Sequence, residues 1–454
     1  MSDSTADQAK LSRPGIRKAI RSFASPIVAE LLLMSLIAMV NLAMVGHLGA
    51  YALSAVGLTN QPVFIGLAVL QSFNIGATAL ISRFIGAGEF KEVKTVVVQT
   101  MLMAVILGSV LAIIGVIFAK SIVIFLGAQS DTVVSASMYM KYMAVGMLLQ
   151  AIPTAVTSIL RGAGESKIPM RYNMIANIIN AGLGFILIYG LGNGSGFGLH
   201  GAALATTLAK FAACAMSVYA LFHNNLPVRL TRQDRFRFNG PMLKRIMNIG
   251  TSAAGEALAM RVGFLLYSKI IAELGTVPLA AHQVISNITG FVSNIINGLS
   301  IAASSFTGRF LGAQKPGLAE VYCRQIIRMG LIFSLSVGSL FVLAGYQLAR
   351  IYTSDLAVIA LAGLVLKIAT IITFPQNYLA IVSGCLRGAG DTRWTLISSL
   401  IGMVVARVTL AFIFVRFFHW GLVGAWMAAI ADQSIRSVLV YQRFKTGKWK
   451  KLKI

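Results

Sequence analysis

Long apolar runs that carry the same short elements twice, at one fixed offset, constrain this chain more than any other feature. Leu160-Arg-Gly-Ala-Gly-Glu165 returns as Leu386-Arg-Gly-Ala-Gly-Asp391, 226 residues later (386 − 160). Arg83-Phe-Ile-Gly-Ala87 returns at that offset as Arg309-Phe-Leu-Gly-Ala313, and Leu48-Gly49 with Ala55 as Leu274-Gly275 with Ala281. One half is a copy of the other. Apolar stretches of about 20 residues suffice to cross a bilayer as helices. They fall into roughly twelve, six per half, the first near 24–46 and the last near 420–442. With 57% hydrophobic and only 12% charged residues, the composition belongs to a polytopic membrane protein. The expected fold is therefore all-α, twelve transmembrane helices in two homologous six-helix lobes. Such a duplication is the build of an alternating-access carrier, with its substrate site near the midplane between the halves.

The net charge of +25 invites a nucleic-acid reading, but the positions of the bases exclude it. Lysines and arginines crowd the N-terminus, every second loop and the tail, whereas the intervening loops hold only Lys120, Lys141, Arg350 and Arg416. This positive-inside asymmetry places both termini in the cytoplasm of a plasma (inner) membrane protein. The expected organisation is a cytoplasmic segment over 1–22, an N-lobe over 23–222, a basic cytoplasmic linker over 223–245, a C-lobe over 246–442 and a basic tail over 443–454. Linker and tail are expected to lie against anionic lipid, at up to about 1 kcal/mol per Lys or Arg. A polar, basic N-terminus without a short apolar core predicts no cleaved signal peptide.

In each Leu-Arg-Gly-Ala-Gly element the glycines can take positive φ and end the preceding helix in a tight turn, with the arginine anchored among head groups. A phosphate-cradling loop would need a strand before it, and here a membrane helix precedes it. Cys214, Cys323 and Cys385 stand at spacings that match neither a metal site nor a disulfide framework and are expected to be packing residues.

These residues carry a resemblance. Met44-Val-Gly-His-Leu-Gly49 with Ala52-Leu-Ser-Ala-Val56, Gly275 with Ala280-Ala-His-Gln283, the two Leu-Arg-Gly-Ala-Gly elements, Asp432-Gln433 to Arg436, and Arg443-Phe444 with Gly447-Lys448-Trp449 resemble the multidrug and toxic compound extrusion (MATE) family over nearly the whole chain. The resemblance implies a secondary antiporter that expels organic, often cationic and amphipathic compounds against inward protons or sodium ions. It implies no enzyme activity, no cofactor beyond the coupling ion, and a monomer whose partners are a small-molecule substrate and the bilayer. Some members of the wider superfamily flip lipid-linked sugars, so a flippase for a lipid-linked anionic substrate is the alternative on this scaffold.

Coupling must rest on ionisable residues inside the membrane, where each costs about 2.5–3.5 kcal/mol or more at a helix centre. The acids are Glu30, Glu256 and Asp432; the bases are Lys210, Arg261, Lys367, Arg407 and Arg436. Glu30 and Glu256 are 226 apart and so occupy equivalent positions of the two halves. Many relatives carry an aspartate where this chain has Asn41, and in some a further acid stands where this chain has Gly184, one turn after Asn180. Asparagine cannot release a proton, so the N-lobe role passes to Glu30. Glu30, with Lys210 as the only intramembrane base of its half, is expected to titrate. Glu256 and Asp432 are expected to stay ionised in a C-lobe network with Arg261, Lys367, Arg407 and Arg436. Lys269 and Glu273 read as an i,i+4 ion pair.

Polar residues within helices mark a candidate cavity wall: Asn41, Gln150, Asn180, Gln283 and Asn287. The methionines, Met143 and Met147 among them, either adapt that wall to varied ligands or fill helix packing. A channel would need a pore ring, and an enzyme a nucleophile or metal constellation; the sequence offers neither.

Overall fold

The computed structural model describes residues 13–130, 132–190, 196–223, 225–231, 233–234 and 236–452. Residues 1–12 of the expected N-terminal segment, Arg232 and Arg235 of the linker, and Lys453 of the tail lie outside these. Twelve long helices account for nearly all described residues: α1 Arg13–Gly46, α2 Ala50–Ala87, α3 Phe90–Ile117, α4 Val133–Gly162, α5 Lys167–Tyr189, α6 Gly198–His223, α7 Gly240–Ala272, α8 Thr276–Gly312, α9 Pro316–Arg350, α10 Leu356–Gly388, α11 Thr392–Phe417 and α12 Gly421–Lys445. Ten are long and apolar enough to cross a membrane. The other two, α7 and α12, carry Glu256 with Arg261 and Asp432 with Arg436.

Two compact units result. One is Ala29–Asn248; the other is Ile249 onward, joined by the chain up to Val28. The boundary expected after residue 22 thus falls halfway along α1. This helix has 34 residues and spans about 51 Å at 1.5 Å per residue, well beyond a hydrocarbon core of about 30 Å. Its first half packs with the second unit, where Phe23 meets Phe306 edge-on at 5.6 Å. The 223–245 segment belongs to the first unit.

Each unit is organised the same way. In the first, α4 is central and packs on α2, α3 and α6; in the second, α10 is central and packs on α8, α9 and α12. The glycines of the repeated element explain this. Gly164 (φ 87°) and Gly390 (φ 83°) are left-handed and close the turn, as the sequence predicts. Gly162 and Gly388 do something else: they let helices touch. A Cβ on Gly162 would stand 3.1 Å from the Thr78 carbonyl of α2, and one on Gly388 would collide with the Ser304 carbonyl of α8. Thr78 and Ser304 are themselves 226 apart. Close helix approach through small residues is the normal means of association where lipid removes any hydrophobic drive.

Candidate functional site

The acids of the duplicated halves sit in duplicated settings. Glu30 of α1 is buried, with Arg161 Nη2 2.8 Å from Oε2 and Asn173 Nδ2 donating to Oε1 at 2.8 Å. Glu256 of α7 is buried likewise, with Arg387 Nη2 2.7 Å from Oε1 and the Thr395 hydroxyl donating to Oε2 at 2.8 Å. Arg161 and Arg387 are the arginines of the two Leu-Arg-Gly-Ala-Gly elements. They turn inward onto carboxylates rather than outward to head groups. The reason is desolvation: a buried carboxylate needs a paired cation, and the last turn of α4 or α10 supplies one. Glu30 is accordingly not remote from a base, which removes the premise on which it was expected to titrate.

The expected C-lobe network is only partly assembled. Arg407 of α11 places Nη2 2.8 Å from Asp432 Oδ2 of α12, with both residues buried. Arg436, one turn on from Asp432, donates to Ser399 at 2.8 Å and feels the charges of Asp432 and Glu256. Arg261 and Lys367 are exposed on their helices, and Lys367 lies 4.8 Å from the Tyr346 ring centroid rather than beside an acid. Glu256 is bonded by Arg387, Thr395 and Ser399 and lies in the field of Arg436, a member of the expected network. Spacing alone does not reveal Arg387 as a partner, because a base in a glycine turn reads equally as a head-group anchor.

Local backbone explains the Arg407–Asp432 pair. Helix α11 widens to π-helical geometry over Leu400–Arg407, a distortion often found at functional positions. Gly402, inside that widened stretch, has no Cβ. Asp432 Oδ1 and the Arg436 stem occupy the space one would fill. Arg407 also lies 5.4 Å from the ring centroids of both Phe264 and Tyr267, so aromatic faces as well as a carboxylate stabilise its charge. Asp432 is fully buried, and neither carboxylate oxygen makes an aligned hydrogen bond among the described residues. It is held by charge, with Arg407 in direct contact and Arg436 nearby. Both oxygens of Glu30 and Glu256, by contrast, are hydrogen-bonded.

The cavity-wall candidates divide. Asn41, Gln150 and Asn180 are partly buried, while Gln283 and Asn287 are exposed on one face of α8, the Asn287 amide donating to the Gln283 carbonyl at 3.0 Å. Met44 reaches 3.0 Å from where a Gly184 Cβ would stand; Asn41 and Asn180 lie one turn before that contact. Met143 and Met147 belong to the packed core of the first unit.

Two further expectations are corrected, and the linker and tail gain contacts that the sequence did not foretell. Cys323 and Cys385 form a disulfide across α9 and α10, leaving Cys214 free; a separation of 62 residues conceals their adjacency. Glu273 approaches Arg416, at 3.5 Å, where Lys269 was expected. The linker and tail are fastened to protein: Lys94 pairs with Asp234 at 3.0 Å, and Gln99 grips the linker backbone at Arg237 O (2.7 Å) and Asn239 N (3.1 Å). In the tail, Arg443 bonds Asp391 at 2.6 Å, Lys450 bonds Glu320 at 2.5 Å, and Trp449 is wholly buried.

Comparison with known proteins fits this geometry. The MatE family model matches residues 26–186 and again 253–413, once in each half. The chain belongs to the MatE family. It is 30% identical over 445 residues to the "Probable multidrug resistance protein NorM" of Thermotoga maritima, covering 96% of this chain and 94% of that protein. It is 26% identical over 420 residues to the "Multidrug export protein MepA" of Staphylococcus aureus, covering 91% and 90%. Among solved structures, a MOP superfamily transporter from Pyrococcus furiosus shares the fold with a TM-score of 0.89 at 24% identity, over 96% of this chain and 97% of that one. This MatE chain is thus a multi-pass membrane transporter.

Proposed function

We propose that this MatE chain is a proton-driven antiporter of the plasma membrane, both termini cytoplasmic, that exports amphipathic organic compounds, cations among them. The names of its relatives, a multidrug resistance protein and a multidrug export protein, support the substrate class. The observation that carries the coupling is the state of Asp432: fully buried, charge-paired with Arg407, with no aligned hydrogen bond on either carboxylate oxygen. A carrier exchanges an ion for its substrate when one group binds the two in competition. Each oxygen of Glu30 and Glu256 accepts a hydrogen bond from a neighbouring side chain, which favours the charged form, whereas those of Asp432 accept none that is aligned.

Protonation would break the charge contact with Arg407, which the Phe264 and Tyr267 rings can then stabilise. Sodium suits this position less well than a proton. It would sit between the guanidinium groups of Arg407 and Arg436, and hard cations need several oxygen ligands. The flippase reading requires guanidinium groups free for a pyrophosphate, and Arg161, Arg387 and Arg407 are each committed to a carboxylate.

The test is ethidium efflux from proteoliposomes under separately imposed gradients. An inward pH gradient alone should drive efflux and a sodium gradient alone should not. Drive by sodium only, or by neither, overturns the reading.

A further inference from the structure

Lys210 lies outside the charge pairs described above. It stands 12 residues after the start of α6 and 13 before its end, about 18 Å from either end and too deep to snorkel to a head group. Its seat is built. Gly146, near the middle of α4, faces it so closely that a Cβ there would stand 3.1 Å from Lys210 Cδ and 3.2 Å from Nζ. Thr207, three residues earlier on α6, donates to the Tyr142 carbonyl at 3.4 Å, so the two helices touch along this face.

No carboxylate serves the ammonium among the described residues. Glu30 has both oxygens committed to Arg161 and Asn173. Glu89, Glu92, Glu165 and Asp234 stand at helix ends, in a turn or in the linker. The duplication sharpens the contrast. Gly198-Leu-His-Gly-Ala202 at the start of α6 returns as Gly421-Leu-Val-Gly-Ala425 at the start of α12, an offset of 223 (421 − 198), so Lys210 corresponds to the neutral Gln433. The second half has no base at this position. An intramembrane base marks a substrate or ion pathway unless it is paired within the protein, and Lys210 is not.

We infer that Lys210 binds an acidic group of the transported compound, so that the substrates include amphipathic molecules bearing a single carboxylate. A lysine ammonium is a compact charge with three donors, suited to one carboxylate rather than to a pyrophosphate. Gln150 and Tyr142, one turn to either side of Gly146, share the face of α4 that meets it. This deepens the exporter reading and rests on it for the word transported.

Fluorescence-polarisation binding of rhodamine B, which has a free carboxylate, and of its ethyl ester, which has none, to the full chain in detergent tests it. Lys210→Gln should weaken rhodamine B at least tenfold and leave the ester within twofold; Lys210→Arg should retain most of the acid binding. Gly146→Ala, which displaces the ammonium without removing it, should weaken the acid severalfold and serves if Lys210→Gln does not fold. Equal loss for both dyes, or no loss for either, overturns the inference. If the wild type exports the ester under a pH gradient but binds the acid no better than Lys210→Gln does, this inference falls and the exporter reading stands. If neither dye is exported but acid binding depends on Lys210, the reverse holds.

Discussion

Arg161 Nη2 lies 2.8 Å from Glu30 Oε2, which ties the last turn of α4 to α1 beneath the first Leu-Arg-Gly-Ala-Gly turn. The bond recurs in the second half as Arg387–Glu256 at 2.7 Å. Removing one member of a buried pair strands the other, at about 3–5 kcal/mol. Glu30→Gln and Arg161→Gln should each lower the thermal unfolding temperature in detergent. The double variant should lose less than the sum of the two, because paired residues are not additive. Strict additivity would mean the two groups do not stabilise one another.

Most of the architecture was legible in the sequence, because twelve apolar runs and a 226-residue repeat leave little choice of fold. Charge pairing was not. Arg161 and Arg387 sit in glycine turns, where a base reads equally as a head-group anchor, and only the direction of the side chain separates the two. Arg407–Asp432 was within reach as two buried opposite charges, but Arg261 and Lys367 carried the same signal and proved exposed. Linear spacing cannot say which face of a helix meets a neighbour when lipid, like the core, is apolar.

The linker contact should survive until strongly acid pH. Burial pushes the Asp234 carboxyl up, but hydrogen bonds from the Thr231 backbone, Lys94 and the Thr231 hydroxyl outweigh it and hold the group below its ordinary value of 3.8. A carboxyl lowered on docking stabilises the docked form above its free value, and that contribution is lost as the pH falls through the lowered one. Hydrogen exchange of residues 225–239, corrected for intrinsic rates, should be constant from pH 8 to about 5 and rise only below about 4. Asp234→Asn should show the raised exchange at neutral pH. A rise near pH 6 would assign the docking to another group.

The tail should act as a structural clamp on its own unit. Trp449 is wholly buried, stacks on Phe444 at 5.1 Å and donates its indole N–H to the Phe444 carbonyl. Trp449→Ala should destabilise that unit by about 3–5 kcal/mol, the usual cost of deleting a buried tryptophan. Unchanged thermal unfolding would show that the tail is detached.

Of the three cysteines, only Cys214 is free. In the purified, unreduced protein, maleimide after denaturation should modify one thiol, and reduction should expose two more. Three reactive thiols before reduction would contradict the Cys323–Cys385 bond.

The central claim, that Asp432 exchanges a proton for the exported compound, is tested most directly by proton release on substrate binding. Ethidium is added to purified protein in weakly buffered detergent solution containing a pH indicator. The wild type should release protons on binding ethidium, and Asp432→Asn should bind ethidium and release none. Equal release from the two proteins would contradict the account and return the coupling role to the arginine-bound Glu30 or Glu256.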